Sequence, residues 1–96
     1  MTKNKVFRHD LICKHLNEIY SRKNADYDDS FSKSYKEYGM TMACIRLEDK
    51  LNRLKSLTVK KHNQQVEDES ILDTLEDLAN YAIMTIIELD IEKEND

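Results

Sequence analysis

The stretch from about Glu69 to Ile91 repeats its apolar residues at the three- and four-residue spacing of one long α-helix. The apolar positions share one side of that helix, the expected core side: Ile71, Leu72, Leu75, Leu78, Ala79, Ala82, Ile83 and Ile86. Acidic and amide residues share the other side: Glu69, Asp73, Glu76, Asp77 and Asn80. Neighbouring carboxylates on a helix repel one another, so this second side is stable only beside a positive partner, such as a metal ion, an ammonium or a guanidinium.

The acidic side has a simpler explanation near its start. Acidic residues in the first turn suit the dipole of a helix, which accounts for Glu69 and Asp73. Asp77 and Asn80 lie too far into the helix for that effect. We therefore expect the acidic side to face a partner helix or a ligand cleft rather than open water.

The rest of the chain also favours helices. The sequence has no proline, one glycine and 35% charged residues, which excludes a β sandwich rich in turns. Apolar periodicity predicts three more helices: one from about Val6 to Arg22, a short one that contains Phe31, Tyr35 and Tyr38 and ends at Gly39, and one from roughly Thr41 to Leu57. The predicted fold class is all-α, a small helical bundle of three long helices and one short helix.

Each helix is expected to bury one side. The expected core residues are Val6, Phe7, Leu11, Ile12, Leu16 and Ile19 on the first helix, and Ala43, Cys44, Leu47, Leu51 and Leu54 on the third. Cys13 and Cys44 are interpreted as reduced core residues, because two distant cysteines indicate neither a zinc site nor a disulfide framework. The polar segments 23–29 and 58–67 are expected to be a connection and an exposed loop, with His62 in solvent.

The length of the chain limits its core. Its 96 residues are expected to form one all-α domain, residues 1–96, with a frayed tail at residues 92–96. Small helical chains often bury more apolar surface by pairing with copies of themselves, so a homo-oligomer is expected. The sequence contains no apolar run of bilayer length and no signal-peptide core, which favours a soluble, cytoplasmic protein without a membrane partner.

The charges are distributed unevenly. Residues 1–61 hold fourteen Lys or Arg against eight Asp or Glu, whereas residues 62–96 hold one against eleven. Such a chain can complement itself electrostatically, within a subunit or between subunits. Its net charge of −4 makes it a poor partner for long nucleic acid, which requires a basic stripe. A small phosphorylated ligand needs only two or three cations.

The third and fourth predicted helices carry polar stripes that can face each other across a groove. Arg46, Lys50 and Arg53 lie on a flank of the third helix, and Asp73 and Asp77 lie on the fourth. Guanidinium groups bind phosphate oxygens in a bidentate way, and Mg²⁺ bridges carboxylates to substrate phosphates. The stripes therefore predict either a structural network of ion pairs or a site for phosphate and Mg²⁺.

Other residues extend this candidate site. The candidate metal ligands are Asp49, Glu69, Asp73 and Asp77, and the candidate stacking residues are Tyr27 and Tyr81. Asp49 has a competing explanation, because Arg46 and Arg53 are close enough on the same helix to form local pairs with it. The sequence has no glycine-rich phosphate loop, no Ser, His and Asp set and no histidine pair at metal spacing. The remaining chemistry is metal-assisted attack of water on phosphorus, with Asp73 and Asp77 as candidate catalytic residues.

Several ordered motifs together resemble a known family. They are Lys23-Asn24-Ala25-Asp26-Tyr27, Phe31, the run Arg46–Leu54, Asp68-Glu69-Ser70, Asp73, Asp77 and Leu78-Ala79-Asn80-Tyr81-Ala82. This arrangement covers Lys23 to about Leu89 and resembles the nucleotide modification associated domain, type one, which is common in bacteriophages and prophages. The resemblance implies a protein encoded by a phage or prophage, in a bacterial host cell, with a link to modified nucleotides and no established reaction.

The resemblance also points to the end of the first helix. Asn24, Asp26 and Tyr27 match family positions and are expected to contribute to a ligand site, while turn or capping roles for Asn24 and Asp26 are a competing explanation. The family has glycine where this chain has Asp28. Aspartate tolerates a left-handed backbone better than most residues, so the turn is expected to persist.

A more distant similarity links the chain to all-α nucleoside triphosphate pyrophosphohydrolases of MazG type. Those enzymes present Glu-Glu-x-x-Glu and Glu-x-x-Asp to Mg²⁺, and the nearest matches here are Glu48-Asp49-Lys50-Leu51-Asn52 and Asp73-Thr74-Leu75-Glu76. Asn52 replaces a carboxylate, Lys50 adds a cation, and the acids of the second motif are exchanged. Each lost carboxylate removes charge that a hard cation needs, which weakens a site for several metal ions.

Together these features favour a protein that binds a small nucleotide or nucleotide-derived signal and sequesters it against host defence. Phosphate contacts are expected from Arg46, Lys50 and Arg53, base or ribose contacts from Tyr27 and Tyr81, and hydrogen bonds or Mg²⁺ ligation from Asp26, Asp73, Asp77 and Asn80. Two alternatives stay open: a Mg²⁺-dependent nucleotide pyrophosphohydrolase, and a structural homo-oligomer without a ligand.

Overall fold

A computed structural model describes residues 4–59 and 68–95 of the chain, and these residues form an all-α fold of four helices without strands, as the sequence predicts. The helices are α1 (Lys5–Asp26), α2 (Ser30–Tyr38), α3 (Met40–Val59) and α4 (Asp68–Glu94). None of the helices within the described residues is long and apolar enough to cross a membrane. His62 and most of the expected loop lie outside the described residues.

The turn between α1 and α2 differs from the expected connection. Helix α1 begins after Asn4, whose side-chain oxygen accepts a hydrogen bond of 2.8 Å from the Phe7 N–H. It continues to Asp26, so the prediction of an end near Arg22 is wrong. Lys23 and Ala25 are good helix formers, and their preference offsets the lower helix propensity of Asn24 between them. Asp28 and Asp29 then form the turn with positive φ angles of 52° and 55°.

The single glycine ends α2 as expected. Gly39 has φ 71°, a left-handed conformation in which a side chain is unfavourable, and its N–H donates to the Tyr35 carbonyl at 2.7 Å. Helix α3 begins at the next residue, Met40. The cap therefore lets two helices meet with one residue between them.

The chain divides into two compact units, residues 1–30 and residues 31–96. The first unit consists mainly of α1, on which Leu16 is buried. The second unit contains α2, α3 and α4 around a cluster of buried residues, which are Phe31, Tyr35, Met42 and Ala43. Tyr81 and Met84 of α4 pack against this cluster. Helices α3 and α4 run antiparallel: the start of α3 lies at the second half of α4, whereas Lys50, further along α3, contacts the earlier Asp77.

Helix α4 does not bury its aliphatic side as expected, since Ile71, Leu78 and Ala79 of that side are only partly buried. Its aliphatic side was expected in the core, yet Leu72 is 55% and Ile86 63% exposed. The buried positions of α4 are instead polar: Thr74, Thr85 and Glu88. Burial of the two threonines is tolerated because their hydroxyls donate, at 2.8 Å each, to the carbonyls of Ser70 and Tyr81 on the same helix.

Other expected core residues are also exposed. On α1, Val6 is 81% exposed, and Phe7, Leu11 and Ile12 are exposed as well. Cys13 and Cys44 are exposed free thiols, so their interpretation as core residues is wrong. Leu51 of α3 is exposed as well. The cause is the small size of each unit, which leaves few elements to cover a second side of any helix.

Candidate functional site

Helix α3 presents a basic stripe formed by Arg46, Lys50 and Arg53. Their spacing of four and three residues brings the three side chains to one side of the helix, over a rise of about 10 Å. Arg46 and Arg53 are exposed, whereas Lys50 between them is partly buried. The stripe therefore holds one shielded cation between two guanidinium groups that solvent can reach.

Helix α4 presents a polar stripe with the same spacing, formed by Asp73, Asp77 and Asn80. Asp73 is exposed, and Asp77 and Asn80 are partly buried. The expectation that this side faces a partner helix is confirmed at Asp77, because it contacts α3. The stripe offers carboxylate and amide oxygens, which accept hydrogen bonds from ribose hydroxyls or ligate hard cations.

A salt bridge between Lys50 and Asp77 joins the two stripes. The Lys50 Nζ lies 3.2 Å from the Asp77 Oδ2, and the two side chains are only 28% and 29% exposed. Partial removal from water strengthens the attraction between the charges and also adds a desolvation cost for each charge. The pair joins α3 and α4 in the middle of the two stripes.

The antiparallel register places the remaining polar groups on either side of that pair. One turn from Lys50 in one direction, Arg46 is level with the Asn80 end of the stripe on α4. One turn in the other direction, Arg53 is level with the Asp73 end. Each end of the paired stripes thus combines an exposed guanidinium with an oxygen acceptor.

Tyr81 packs in the core of the second unit, whether or not it also contacts a ligand. Its ring centroid lies 5.9 Å from that of Phe31 with the ring planes tilted by 33°, a favourable distance for aromatic packing. The side chain is partly buried and lies against the core cluster. Contact of Tyr81 with a base or ribose stays a prediction.

The candidate metal ligands are not gathered into one cluster. Asp49 and Asp73 are exposed, and Asp77 is engaged with Lys50. Among the described residues, no group of three or more His, Cys, Asp or Glu side chains could hold a metal ion. The side chain of Glu69 lies outside the described part of the chain. Mg²⁺ ligation by the four acids therefore stays a prediction.

Asn24, Asp26 and Tyr27 belong to the first unit. Asn24 and Asp26 lie in the last turn of α1, and Tyr27 is its C-cap residue. The Asn24 carbonyl accepts a hydrogen bond of 3.1 Å from the Asp29 N–H, whereas Asp26 and Tyr27 are exposed. The backbone of Asn24 thus serves the turn, and the exposed side chains of Asp26 and Tyr27 stand beside it. A capping or turn role for the side chains of Asn24 and Asp26 stays a prediction.

Sequence reasoning missed a buried polar cluster between α2 and α4. The Ser32 hydroxyl donates a 3.1 Å hydrogen bond to the Glu88 Oε1, and both residues are buried. Burial raises the pKa of the neighbouring Tyr35 hydroxyl, and the Glu92 and Glu88 carboxylates raise the pKa further. The available signal was that Glu88 follows Tyr81 by seven residues, which places both on one side of α4.

The second unit is thus an all-α scaffold that aligns a basic stripe with a stripe of oxygen acceptors. The sequence matches the family described as Nucleotide modification associated domain 1 over residues 23–89, and the chain belongs to this family. The matched region contains every residue of both stripes. No curated protein and no solved structure matches the chain. The distant similarity to pyrophosphohydrolases of MazG type stays a prediction.

Proposed function

We propose that this protein binds a small nucleotide or nucleotide-derived signal in the groove between α3 and α4 and sequesters it. The observation that carries the proposal is the Lys50–Asp77 pair, which aligns two exposed arginines with the acceptor stripe. The family description, which refers to nucleotide modification, favours a nucleotide over other phosphorylated ligands. Sequestration of a signal used in defence against phages, inside the bacterial cytoplasm, is the biological role that we propose.

Phosphate recognition would come from Arg46 and Arg53. Both guanidinium groups are exposed, so binding would not require the loss of a buried contact. Their rise of about 10 Å along α3 is longer than one phosphate group, so the two arginines would contact different phosphates of one ligand. A ligand with two separated phosphates, such as a dinucleotide, would use both contacts.

The acceptor stripe would complete the recognition. Asp73 and Asn80, at the two ends, would accept hydrogen bonds from ribose hydroxyls or base amino groups. A divalent ion held by Asp73 would offset the repulsion between that carboxylate and the phosphates of the ligand. Lys50 would add a third positive charge close to the phosphates, at the cost of weakening its contact with Asp77.

The first experiment incubates the protein with Mg²⁺ and a mixed pool of nucleoside triphosphates, cyclic dinucleotides and ADP-ribose derivatives. Each compound is quantified by mass spectrometry before and after the protein is denatured by heat. A compound that leaves solution and returns intact on heating supports sequestration. Conversion to a monophosphate and pyrophosphate supports the pyrophosphohydrolase instead, and an unchanged pool supports a structural role without a ligand.

Matched variants of α3 assign the binding to the groove. Arg46→Ala and Arg53→Ala should each weaken retention of the compound by tenfold or more, since a charged hydrogen bond contributes about 1.5–3 kcal/mol. Lys55→Ala removes an exposed cation from the opposite side of the same helix and should retain the compound as well as the wild type. Equal losses in all three variants would indicate nonspecific attraction and contradict the groove.

A further inference from the structure

The exposed side of α4 carries apolar residues in a regular series. The series alternates steps of three and four residues: Leu72, Leu75, Ala79, Ala82, Ile86 and Leu89. All of them are exposed except Ala79, which is partly buried. Alternating steps of three and four place the residues in one seam that drifts slowly around the helix, the pattern by which two helices interlock side chains in a coiled coil. Leu72, Ala79 and Ile86 lie on the side of α4 away from the buried residues Thr74, Thr85 and Glu88, and Ala82 and Leu89 lie at the edge of the exposed side, next to Thr85.

The seam is symmetric about its own centre. Two large residues lie at each end and two alanines lie in the middle. Read backwards, the series has the same steps and the same order of large and small side chains. An antiparallel copy of the helix would therefore match every large residue with a large one and every alanine with an alanine.

We propose that two copies of this protein pair through α4 in antiparallel orientation, about a twofold axis that passes between residues 80 and 81. In this register Leu72 lies opposite Leu89 of the second copy, and Leu75 lies opposite Ile86 of the second copy. Ala79 lies opposite Ala82 of the second copy, where the absence of long side chains lets the backbones approach closely. Ile83, which is exposed beside the alanines, covers the centre of the contact.

A second copy fits this surface better than an unrelated helix. An interface about a twofold axis uses the same patch on both subunits and must be complementary to itself, which the symmetric seam is. The seam is about 25 Å long, enough for five helical turns of continuous contact. Burial of its large residues would remove four exposed aliphatic side chains of each copy from water, and such burial is the main driving force of association.

The antiparallel orientation has its own support. Parallel helices would match any series of residues with itself, so a parallel pair would not require the symmetry that the seam has. A parallel pair would also place Lys93, one step beyond Leu89, against the Lys93 of the second copy. The antiparallel pair avoids that repulsion and opposes the two helix dipoles.

The test measures the mass of the full chain in solution by light scattering over a range of concentrations. The chain mass is 11.4 kDa, and the proposal expects the wild type to have twice that mass or an even multiple of it. Ile86→Glu introduces a charge into the seam at a residue that is 63% exposed, so it should halve the mass without loss of helix content by circular dichroism. Leu72→Glu is the second seam variant and should behave in the same way.

Ile91→Glu is the matched control. Ile91 is 40% exposed on the same helix but lies away from the seam, so this variant should keep the wild-type mass. A wild-type protein that is monomeric at every concentration overturns the proposal, and so do seam variants that keep the wild-type mass. The groove residues Arg46 and Arg53 are untouched, so failure of the pairing would leave the nucleotide proposal standing.

Disulfide crosslinking tests the orientation. Cys13→Ser and Cys44→Ser first remove the two exposed native thiols. In that background, Leu72→Cys protein mixed with Leu89→Cys protein should form a crosslinked dimer under mild oxidation, because a disulfide requires the two Cα atoms to lie within about 7 Å. Leu72→Cys protein alone should not crosslink. Crosslinking of Leu72→Cys alone, without crosslinking of the mixture, would indicate a parallel pair and overturn the proposed register.

Discussion

The Ser32 hydroxyl and the Glu88 carboxylate form a hydrogen bond of 3.1 Å that joins α2 to α4 across 56 residues of sequence. Both residues are buried, so water has little access to either group, and each side chain is the hydrogen-bond partner of the other. The bond also lies beside Tyr35, whose hydroxyl interacts with Glu92 and Glu88. These contacts tie the C-terminal half of α4 to the core of its unit.

Removal of the Ser32 hydroxyl should destabilise the protein. Ser32→Ala leaves the buried Glu88 carboxylate without this donor, and a buried acceptor that loses its partner costs about 1–3 kcal/mol. The free energy of unfolding, measured by urea denaturation, should fall by that amount. Ser56→Ala removes an exposed hydroxyl from α3 and should change it by less than about 0.5 kcal/mol. Equal effects in the two variants would contradict a stabilising role for the buried bond.

Tyr35 should make the fold sensitive to alkaline pH. Its pKa is raised above 10.0 by burial, by Glu92 and by Glu88, so the unfolded chain ionises this tyrosine at a lower pH than the folded protein does. The resulting stability is fully present below a pH of about 10 and is lost as the pH rises through the folded pKa. As the pH rises from neutral to above about 10, the free energy of unfolding of Tyr35→Phe should therefore fall less than that of the wild type. Denaturation at several pH values measures both.

The control for this pH dependence is Tyr38→Phe. Tyr38 is exposed on the same short helix, so its replacement should leave the alkaline loss of stability at the wild-type value. An alkaline loss in Tyr35→Phe as large as in the wild type would show that other groups cause it.

The sequence was sufficient to predict the helices and the meeting of the two stripes. Helical spacing and the glycine cap act locally, so α2 and its end at Gly39 follow from neighbouring residues. The contact of Lys50 with Asp77 follows from opposite charges on two amphipathic helices that are joined in sequence. Both inferences depend on short-range physics that a single sequence contains.

The covered side of α4 could not be predicted in the same way. Periodicity identifies Leu72 and Ile86 as one apolar side but does not identify what covers that side. In this unit α2 and α3 instead meet the side with Thr74 and Thr85, whose hydroxyls bond within their own helix and so cost little to bury. The burial of Glu88 depends on Ser32, which is far away in sequence, and no local pattern reveals that partner.

The left-handed backbone of the turn after α1 predicts that valine at position 28 destabilises the protein more than glycine does. Its φ of 52° is unfavourable for a β-branched residue, so Asp28→Val should lower the free energy of unfolding by about 1–2 kcal/mol. Asp28→Gly should stay within about 0.5 kcal/mol of the wild type, because relief of backbone strain offsets the greater freedom of the unfolded chain. Urea denaturation distinguishes the two variants, and equal losses would contradict a role for backbone conformation.

Loss of the partly buried salt bridge between Lys50 and Asp77 should lower the free energy of unfolding more than loss of a salt bridge that is exposed to solvent. Asp77→Ala leaves Lys50 partly buried without its carboxylate, and we expect a loss of about 1 kcal/mol, between the values for open and fully buried pairs. The pair of Asp10 with Lys14, 2.9 Å apart and open to solvent on α1, is the comparison, and Asp10→Ala should change stability by less than about 0.5 kcal/mol. The double variant Lys50→Met with Asp77→Leu should recover most of the loss, since no uncompensated charge remains. Urea denaturation of the wild type and the three variants measures these free energies of unfolding. A double variant that is less stable than Asp77→Ala would mean that the charges themselves hold α3 against α4.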